Sequence, residues 1–340
     1  MIERKSLLKI RSIHDILKFL PIVGILLYSY IIYKTGVRNI IKAFSGIKII
    51  WLIPIPILII AIVLLKGLKW KLILNHYKQD FSYKNACMTW CIGAFAGSLT
   101  PGQAGEAIKA IYVRKINPDK SLSECISTIF SDKVLEMFSL MTLVMISSVI
   151  LVFRQGGSRI GLYVFILAFA MVISFYGMTD QKIYNLLKRL FRPITKLIIP
   201  NRYRQNINSS FERFFLGIWE LKKEKRLLAY LWLMAIFTWF IVFAVSYFVA
   251  ISLGLNISFL YMMIISPVIT FFAILPISLS GLGTRDASAI FFFNQIGIMA
   301  ESAVAWSIMV LVVSWCFSLF GWIVSLNPSF WLGLSIDKSS

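Results

Sequence analysis

Ser98-Leu99-Thr100-Pro101-Gly102-Gln103-Ala104-Gly105-Glu106 and Ser278-Leu279-Ser280-Gly281-Leu282-Gly283-Thr284-Arg285-Asp286 are the two stretches that decide the fold. In each, an apolar run stops at a loop of small residues, and a second apolar helix restarts with a carboxylate in its first turn. Backbone polar groups cannot stay unpaired in hydrocarbon, so a helix broken at membrane depth must be buried in protein or line a wet cavity. Two such interruptions in one chain point to a site.

The surrounding composition is that of a membrane protein. Of 340 residues 59% are hydrophobic and only 15% charged, and the mean hydropathy of +0.80 is beyond any ordinary soluble domain. Arg4, Lys5, Lys9, Arg11 and Lys18 precede the first apolar run, and no small-residue cleavage site follows, so an anchor is expected rather than a removed signal. Cys87, Cys91, Cys125 and Cys316 lie in or beside apolar segments, with Cys87 and Cys91 spaced as helical neighbours. They read as buried thiols, not as a disulfide framework. The formal charge of +20 reports orientation before it reports nucleic acid, which is not an expected partner.

Segments near the roughly 20 residues needed to span fall at Phe19 to Tyr33, Ile49 to Leu65, Ile129 to Phe153, Ile160 to Met178, Leu227 to Leu253 and Ala303 to Leu326. The broken segments lie between the second and third and between the fifth and sixth. With a cytoplasmic N-terminus, and each broken segment a re-entrant hairpin, 27 of the 35 Lys and Arg residues fall on the cytoplasmic side and six outside, as the positive-inside rule requires. That tally places residues 66–84 and 109–120 in cytoplasmic stretches. The first hairpin then enters from the cytoplasm and the second from outside. The predicted architecture is all-α and polytopic: six full spans plus two re-entrant helical hairpins in an inverted-topology repeat. Residues 1–155 form the first repeat, with its hairpin at 86–116. Residues 156–340 form the second, with a basic cytoplasmic insertion at 180–226 and a hairpin at 258–298. Such repeats, with discontinuous helices in matching positions, are common in secondary transporters.

The hairpins differ in length. Ala86 to Leu99 gives roughly 21 Å of helix, short of a hydrocarbon core of about 30 Å, and Ala104 to Ile116 is equally short. Ser258 to Leu279 is long enough to span, with kinks expected at Pro267 and Pro276, and Ala287 to Ile298 is short. In the insertion, Ile183-Tyr184-Leu187-Leu190-Phe191 and Phe211-Phe214-Phe215-Ile218 interleave with Lys and Arg. Helices lying on the anionic cytoplasmic leaflet fit this pattern, and so does a plain basic connector.

Six charged residues lie in or beside these apolar stretches. Glu106 follows Thr100, Pro101, Gly102 and Gly105 at the start of a short helix. It either caps that helix or binds a cation, an amine or a sugar hydroxyl while the exposed N–H groups cradle a phosphate. Arg285 and Asp286 open the matching helix after Ser280, Gly281 and Gly283; as adjacent residues they diverge and do not pair with each other. Arg285 therefore takes a phosphate or carboxylate, or a structural salt bridge to Glu106 or Asp132. Asp132 and Glu136 share one helix face, where two carboxylates repel unless a cation or proton intervenes. They form a coupling-ion site, or they are wet acids beside a Lys133 that snorkels to the interface. Unpaired at the bilayer centre these groups would cost about 2.5 to 3.5 kcal/mol each, so they share a polar interior or lie shallow. The histidines, His14 and His76, are remote from these residues, and no metalloprotease, nucleophile-elbow or Walker A motif is present. No cofactor or metal is expected.

At Thr100-Pro101-Gly102-Gln103-Ala104-Gly105-Glu106, at Asp132-Lys133-Val134-Leu135-Glu136, and from Leu275-Pro276-Ile277-Ser278 through Gly281-Leu282-Gly283-Thr284-Arg285-Asp286, the chain resembles the flippase-like family defined by the transmembrane region of lysylphosphatidylglycerol synthases. The family tends to carry Glu-Arg-x-x-Asp where this chain has Asp132-Lys133-x-x-Glu136, and Glu at the position of Asp286. In bifunctional members a soluble transferase domain follows the membrane region; here Asn327 to Ser340 remains. The resemblance thus implies a stand-alone translocator of a phospholipid or lipid-linked anionic headgroup, without the transferase; rocking of the two repeats would give alternating access, and the missing transferase, metal and nucleotide motifs lead us to expect no enzyme activity. The alternatives are a membrane-embedded transferase or hydrolase with Glu106 or Asp132 as base, and a subunit that presents lipid to a separate lipid-modifying enzyme. A second copy of the chain is also left open as a partner. The expected location is the plasma membrane of a prokaryote, with both termini cytoplasmic.

Overall fold

The computed structural model describes residues 24–154, 165–166, 169, 223–275 and 280–327. Every regular element among them is helical. Residues 24–35 (α1) end at Gly36, whose φ of +84° breaks the chain before α2 (Val37–Phe44). A 3₁₀ turn at Ile49–Leu52 leads into α3 (Pro54–His76), followed by α4 (Tyr83–Ser98). A 3₁₀ stretch over Pro101–Ile108 joins α4 to α5 (Lys109–Ile116) and then α6 (Leu122–Arg154). The later elements are α7 (Lys225–Ser252), α8 (Phe259–Ile274), α9 (Thr284–Asn294) and α10 (Ala300–Leu326).

Among the described residues four stretches are long and apolar enough to cross a membrane: Ile49–His76, Leu122–Phe153, Lys225–Ser252 and Ala300–Leu326. They coincide with the second, third, fifth and sixth spans expected from sequence. On α3 the exposed side chains Ile57, Ile60 and Leu64 make one stripe at helical spacing, and such a surface suits hydrocarbon. The expected span Ile160 to Met178 and the basic insertion lie outside the described residues, apart from 165–166, 169 and 223–226.

Three boundaries differ from the sequence reading. Helix α3 runs past Leu65 to His76 because Leu68, Trp70, Leu72, Ile73 and Leu74 prolong its apolar surface, so Lys66 and Lys69 are helical and not part of a cytoplasmic loop. After the first break the chain restarts as 3₁₀ turns, and α-helix begins only at Lys109. Helix α8 stops at Ile274, and Leu275 leaves it with ψ 135°; a residue that precedes a proline is driven out of the helical region.

The helices form two compact units. One comprises Leu58–Ala94, Glu106–Val242 and Leu319–Ser340. Its core gathers Trp70, Leu74, Phe81, Ala86, Ala110, Val113, Cys125 and Ile129, and α5 packs along α6. Gly67 lets α3 lie directly on α4, since a Cβ there would collide with Cys87 Sγ. The other unit comprises Met1–Ile57, Phe95–Gly105 and Phe243–Ser318. In it α8 packs on α9, with Tyr261 Oη donating to the Phe292 carbonyl at 2.9 Å. Trp306 packs tilted against Phe293, with ring centroids 5.2 Å apart, and donates to the Ser246 carbonyl at 2.9 Å.

Candidate functional site

In the first unit the apolar helices enclose seven charged side chains. Asp132 and Glu136 face the same way on α6, as their spacing requires, and the cation between them is Lys69 of α3. Its Nζ lies 2.9 Å from Asp132 Oδ1 and 3.0 Å from Glu136 Oε1. The other carboxylate oxygen of Glu136 lies 3.7 Å from Lys133, which also pairs with Glu106. Glu106 in turn pairs with Lys109 at 2.9 Å, and Lys109 reaches back to Asp132 at 4.0 Å. Lysine and carboxylate thus alternate around a closed ring, Asp132–Lys69–Glu136–Lys133–Glu106–Lys109, with three charges of each sign.

Burying single ions among helices is costly, and a ring in which each charge has two opposite neighbours offsets that cost. The ring is closed to bulk solvent at its centre: the side chains of Lys69, Asp132 and Lys109 are 2%, 1% and 0% exposed. Lys69 Nζ stands 2.9 Å from Asp132 Oδ1, a contact in which opposite charges meet away from solvent.

Lys66, one turn before Lys69, is the seventh group. Its Nζ donates to Glu136 Oε1 at 2.7 Å, the oxygen already engaged by Lys69. It also lies 5.3 Å from the ring centroid of Trp90 and 5.5 Å from that of Trp239. Lys66 and Lys133 are partly open, with side chains 13% and 21% exposed.

The packing that aims these groups is local. Gly93 on α4 leaves room for the Lys109 stem; a Cβ there would lie 2.6 Å from Lys109 Cδ. The Lys109 ammonium rests over Trp70, 5.1 Å from its ring centroid. Trp239 Nε1 donates to the Glu136 carbonyl at 3.2 Å and ties α7 to the acidic turn of α6.

In the second unit the two broken segments touch: Ser280 Oγ donates to the Ser98 carbonyl at 3.0 Å. Thr100 Oγ1 accepts the Gly105 N–H at 2.7 Å and closes the first reversal. Pro101 and Gly102 are the first residues of the 3₁₀ stretch. The second reversal passes through the left-handed region at Ser280, Gly281 and Gly283, with φ of 51°, 79° and 83°, a path that glycine takes without strain. Asp286 Oδ2 accepts the Gly283 N–H at 2.7 Å and caps α9. Arg285 turns the other way, as adjacent helical residues do, and donates from Nε to Ser307 Oγ at 2.7 Å and from Nη1 to the Ser280 carbonyl at 3.4 Å. It is 7% exposed, and its Nη2 has no hydrogen-bond partner.

Several sequence expectations change. Glu106 does not cap an α-helix; it stands in the 3₁₀ stretch and its cations are Lys109 and Lys133. Asp132 and Glu136 are not wet, and the cation between them is the chain's own Lys69. Lys66, Lys69 and Lys109, placed in cytoplasmic stretches by the loop count, are buried or nearly so. The missed signal is Lys66-x-x-Lys69 inside an apolar pattern that continues to Leu74 without a turn residue.

A helical multi-pass membrane protein with a buried ring of ion pairs is the class these features define. The chain belongs to the family described as the lysylphosphatidylglycerol synthase transmembrane region, whose model matches residues 16–321. It is similar to the UPF0104 membrane protein PH1989 of Pyrococcus horikoshii, 24% identical over 326 residues covering 91% of this chain and 96% of the relative. It is also similar to the UPF0104 membrane protein MJ1595 of Methanocaldococcus jannaschii, 24% identical over 327 residues, 92% of this chain and 93% of the relative.

Proposed function

We propose that this protein is a lipid transporter that moves a phospholipid or lipid-linked anionic headgroup between leaflets by alternating access, without changing it covalently. One observation carries the reading: among the described residues four lysine ammoniums, those of Lys66 and Lys133 partly exposed, converge on three carboxylates between apolar helices, a polar interior suited to an anionic headgroup. Arg285, buried with one uncommitted nitrogen, offers a further donor suited to a phosphate oxygen. Membership in a family of lipid-synthase membrane regions agrees with a lipid cargo.

The architecture that goes with this reading is six spans and two re-entrant hairpins in an inverted repeat, in a prokaryotic plasma membrane with both termini cytoplasmic. Thr100, Pro101, Gly102 and Gly105 shape the first reversal, and Ser280, Gly281 and Gly283 the second. The direct partners are membrane lipid and the anionic cytoplasmic leaflet.

Reconstitution tests this. Proteoliposomes carrying a fluorescent anionic phospholipid should equilibrate it between leaflets faster than protein-free vesicles, and Arg285→Ala should slow that exchange in a protein that stays folded. Exchange no faster than in empty vesicles would overturn the reading. A headgroup altered by mass would replace it with a transferase or hydrolase.

A further inference from the structure

The surface of α2 (Val37–Phe44) is divided into stripes. Ile40 is buried. Val37 and Ile41, one turn apart on the next stripe, are 57% and 64% exposed. Arg38 and Lys42 form the stripe beyond them, and both are exposed, as are Lys34 before the helix and Lys48 after it. No Asp or Glu occurs from residue 16 to residue 79, and among the described residues no carboxylate pairs with these four cations.

The fold sets this helix at the end of a membrane-crossing length. The Lys48 N–H donates to the carbonyl of Ser252, the last residue of α7, at 2.7 Å, and Trp51 lies stacked near Phe248 with ring centroids 6.5 Å apart. The next such length, Ile49–His76, begins directly after it. Tyr33 and Trp51, both exposed, bracket the segment, and these are the residue types that settle where hydrocarbon gives way to headgroups. In water Val37 and Ile41 would stay hydrated, which is costly. Sunk into the edge of the hydrocarbon they are covered, while Arg38 and Lys42 carry their charges up to headgroup level on flexible stems. Four cations without an acid among them then draw their counter-charge from the lipid.

We propose that α2 lies in the membrane surface, with its apolar stripe in the leaflet at the Ser252 end of α7, and that Arg38 and Lys42, with Lys34 and Lys48, gather anionic lipid headgroups there. Eight residues are too few to hold a membrane from solution, but α3 tethers them at it, so only the local contact is required. In the proposed topology this is the outer leaflet, and four of the six Lys and Arg residues assigned outside stand in this one segment. The contact itself depends neither on that topology nor on transport.

The test uses the full chain in vesicles of phosphatidylcholine with a minority of phosphatidylglycerol. A bimane label is placed at Ile41→Cys or, on the opposite side of the helix, at Asn39→Cys, each with Cys316→Ser. A nitroxide near the glycerol end of the acyl chains should quench the label at 41 and spare the label at 39, and aqueous acrylamide should do the reverse. With the nitroxide carried either by phosphatidylglycerol or by phosphatidylcholine at equal mole fraction, the label at 41 should report about five-fold or greater enrichment of phosphatidylglycerol, the worth of one basic residue near an anionic surface. Salt at about 1 M, where the Debye length falls to about 3 Å, should remove that enrichment from the same protein with no further substitution. Arg38→Gln with Lys42→Gln should remove it at low salt while acyl-chain quenching persists. Equal quenching by the two lipids, enrichment that survives both salt and the paired Gln change, or acrylamide reaching both labels alike would overturn the proposal. Enrichment in a protein that translocates nothing keeps the lipid contact and removes the transport reading; translocation without enrichment does the reverse.

Discussion

Ser280 Oγ donates to the backbone carbonyl of Ser98 at 3.0 Å and joins two chain reversals 182 residues apart in sequence. Ser98→Cys combined with Ser280→Cys, in a chain whose exposed Cys316 is replaced by Ser, should cross-link with a short bifunctional thiol reagent. Cys87, Cys91 and Cys125 are buried and should not compete. Cleavage between the two sites, followed by electrophoresis, reads the result; two separate fragments would mean that the reversals do not touch.

The ring predicts opposite outcomes for two lysines one turn apart. Lys69→Met leaves Asp132 and Glu136 facing each other and should cost about 3–5 kcal/mol, read as a large fall in the melting temperature of the detergent-solubilised protein. Lys66→Met leaves a balanced ring and should cost nothing measurable. Equal losses would show that the ring is not the unit that stabilises α3 against α6.

Gly93→Ala places a methyl group 2.6 Å from Lys109 Cδ. The lysine stem must shift, and its ammonium is pulled from Glu106 and Trp70. A loss of about 1–3 kcal/mol is expected for such overpacking, and Lys109→Met on top of Gly93→Ala should cost less than the sum of the two changes alone. Additive losses in a thermal-unfolding double-mutant cycle would separate the two sites.

At the second reversal Asp286 supplies the acceptor for the Gly283 N–H. Asp286→Ala should cost about 0.5–2 kcal/mol, as loss of a helix cap does, and Asp286→Asn should recover most of it by keeping an oxygen in place. Hydrogen exchange at the first turn of α9 gives the local readout.

The proposed inverted repeat makes a sided prediction. Asp80 and Asn256 are exposed residues in the loops that lead into the two hairpins. In right-side-out vesicles Asn256→Cys should react with a membrane-impermeant maleimide and Asp80→Cys should not, and inside-out vesicles should reverse the pattern. Labelling of both from one side would rule out opposite insertion.

Helix length and hydropathy made the four long apolar helical stretches among the described residues legible in the amino-acid sequence, because apolar runs of that length have few uses other than crossing a membrane. Glu106, Asp132, Lys133 and Glu136 were legible for the complementary reason, as charges in or beside apolar runs that demand partners. Their partners were not. A lysine at the end of an apolar run has the same composition whether it ends a span or continues into a buried face, and loop counting assigned Lys66 and Lys69 to water. Lys109 was hidden in the same way beside Arg114 and Lys115. The 3₁₀ path from Pro101 to Ile108 was also invisible, since local residue preference does not distinguish it from the first turns of an α-helix.

The order in which the ring is synthesised has a consequence for biogenesis. Lys69 leaves the ribosome 67 residues before Glu136, so α3 is offered to the membrane while its ammonium has no counter-ion. A lysine that meets hydrocarbon without its counter-ion costs up to about 2.5–3.5 kcal/mol, most at the bilayer centre. Pairing of Lys69 with Asp132 and Glu136 is therefore completed only once α6 has been made.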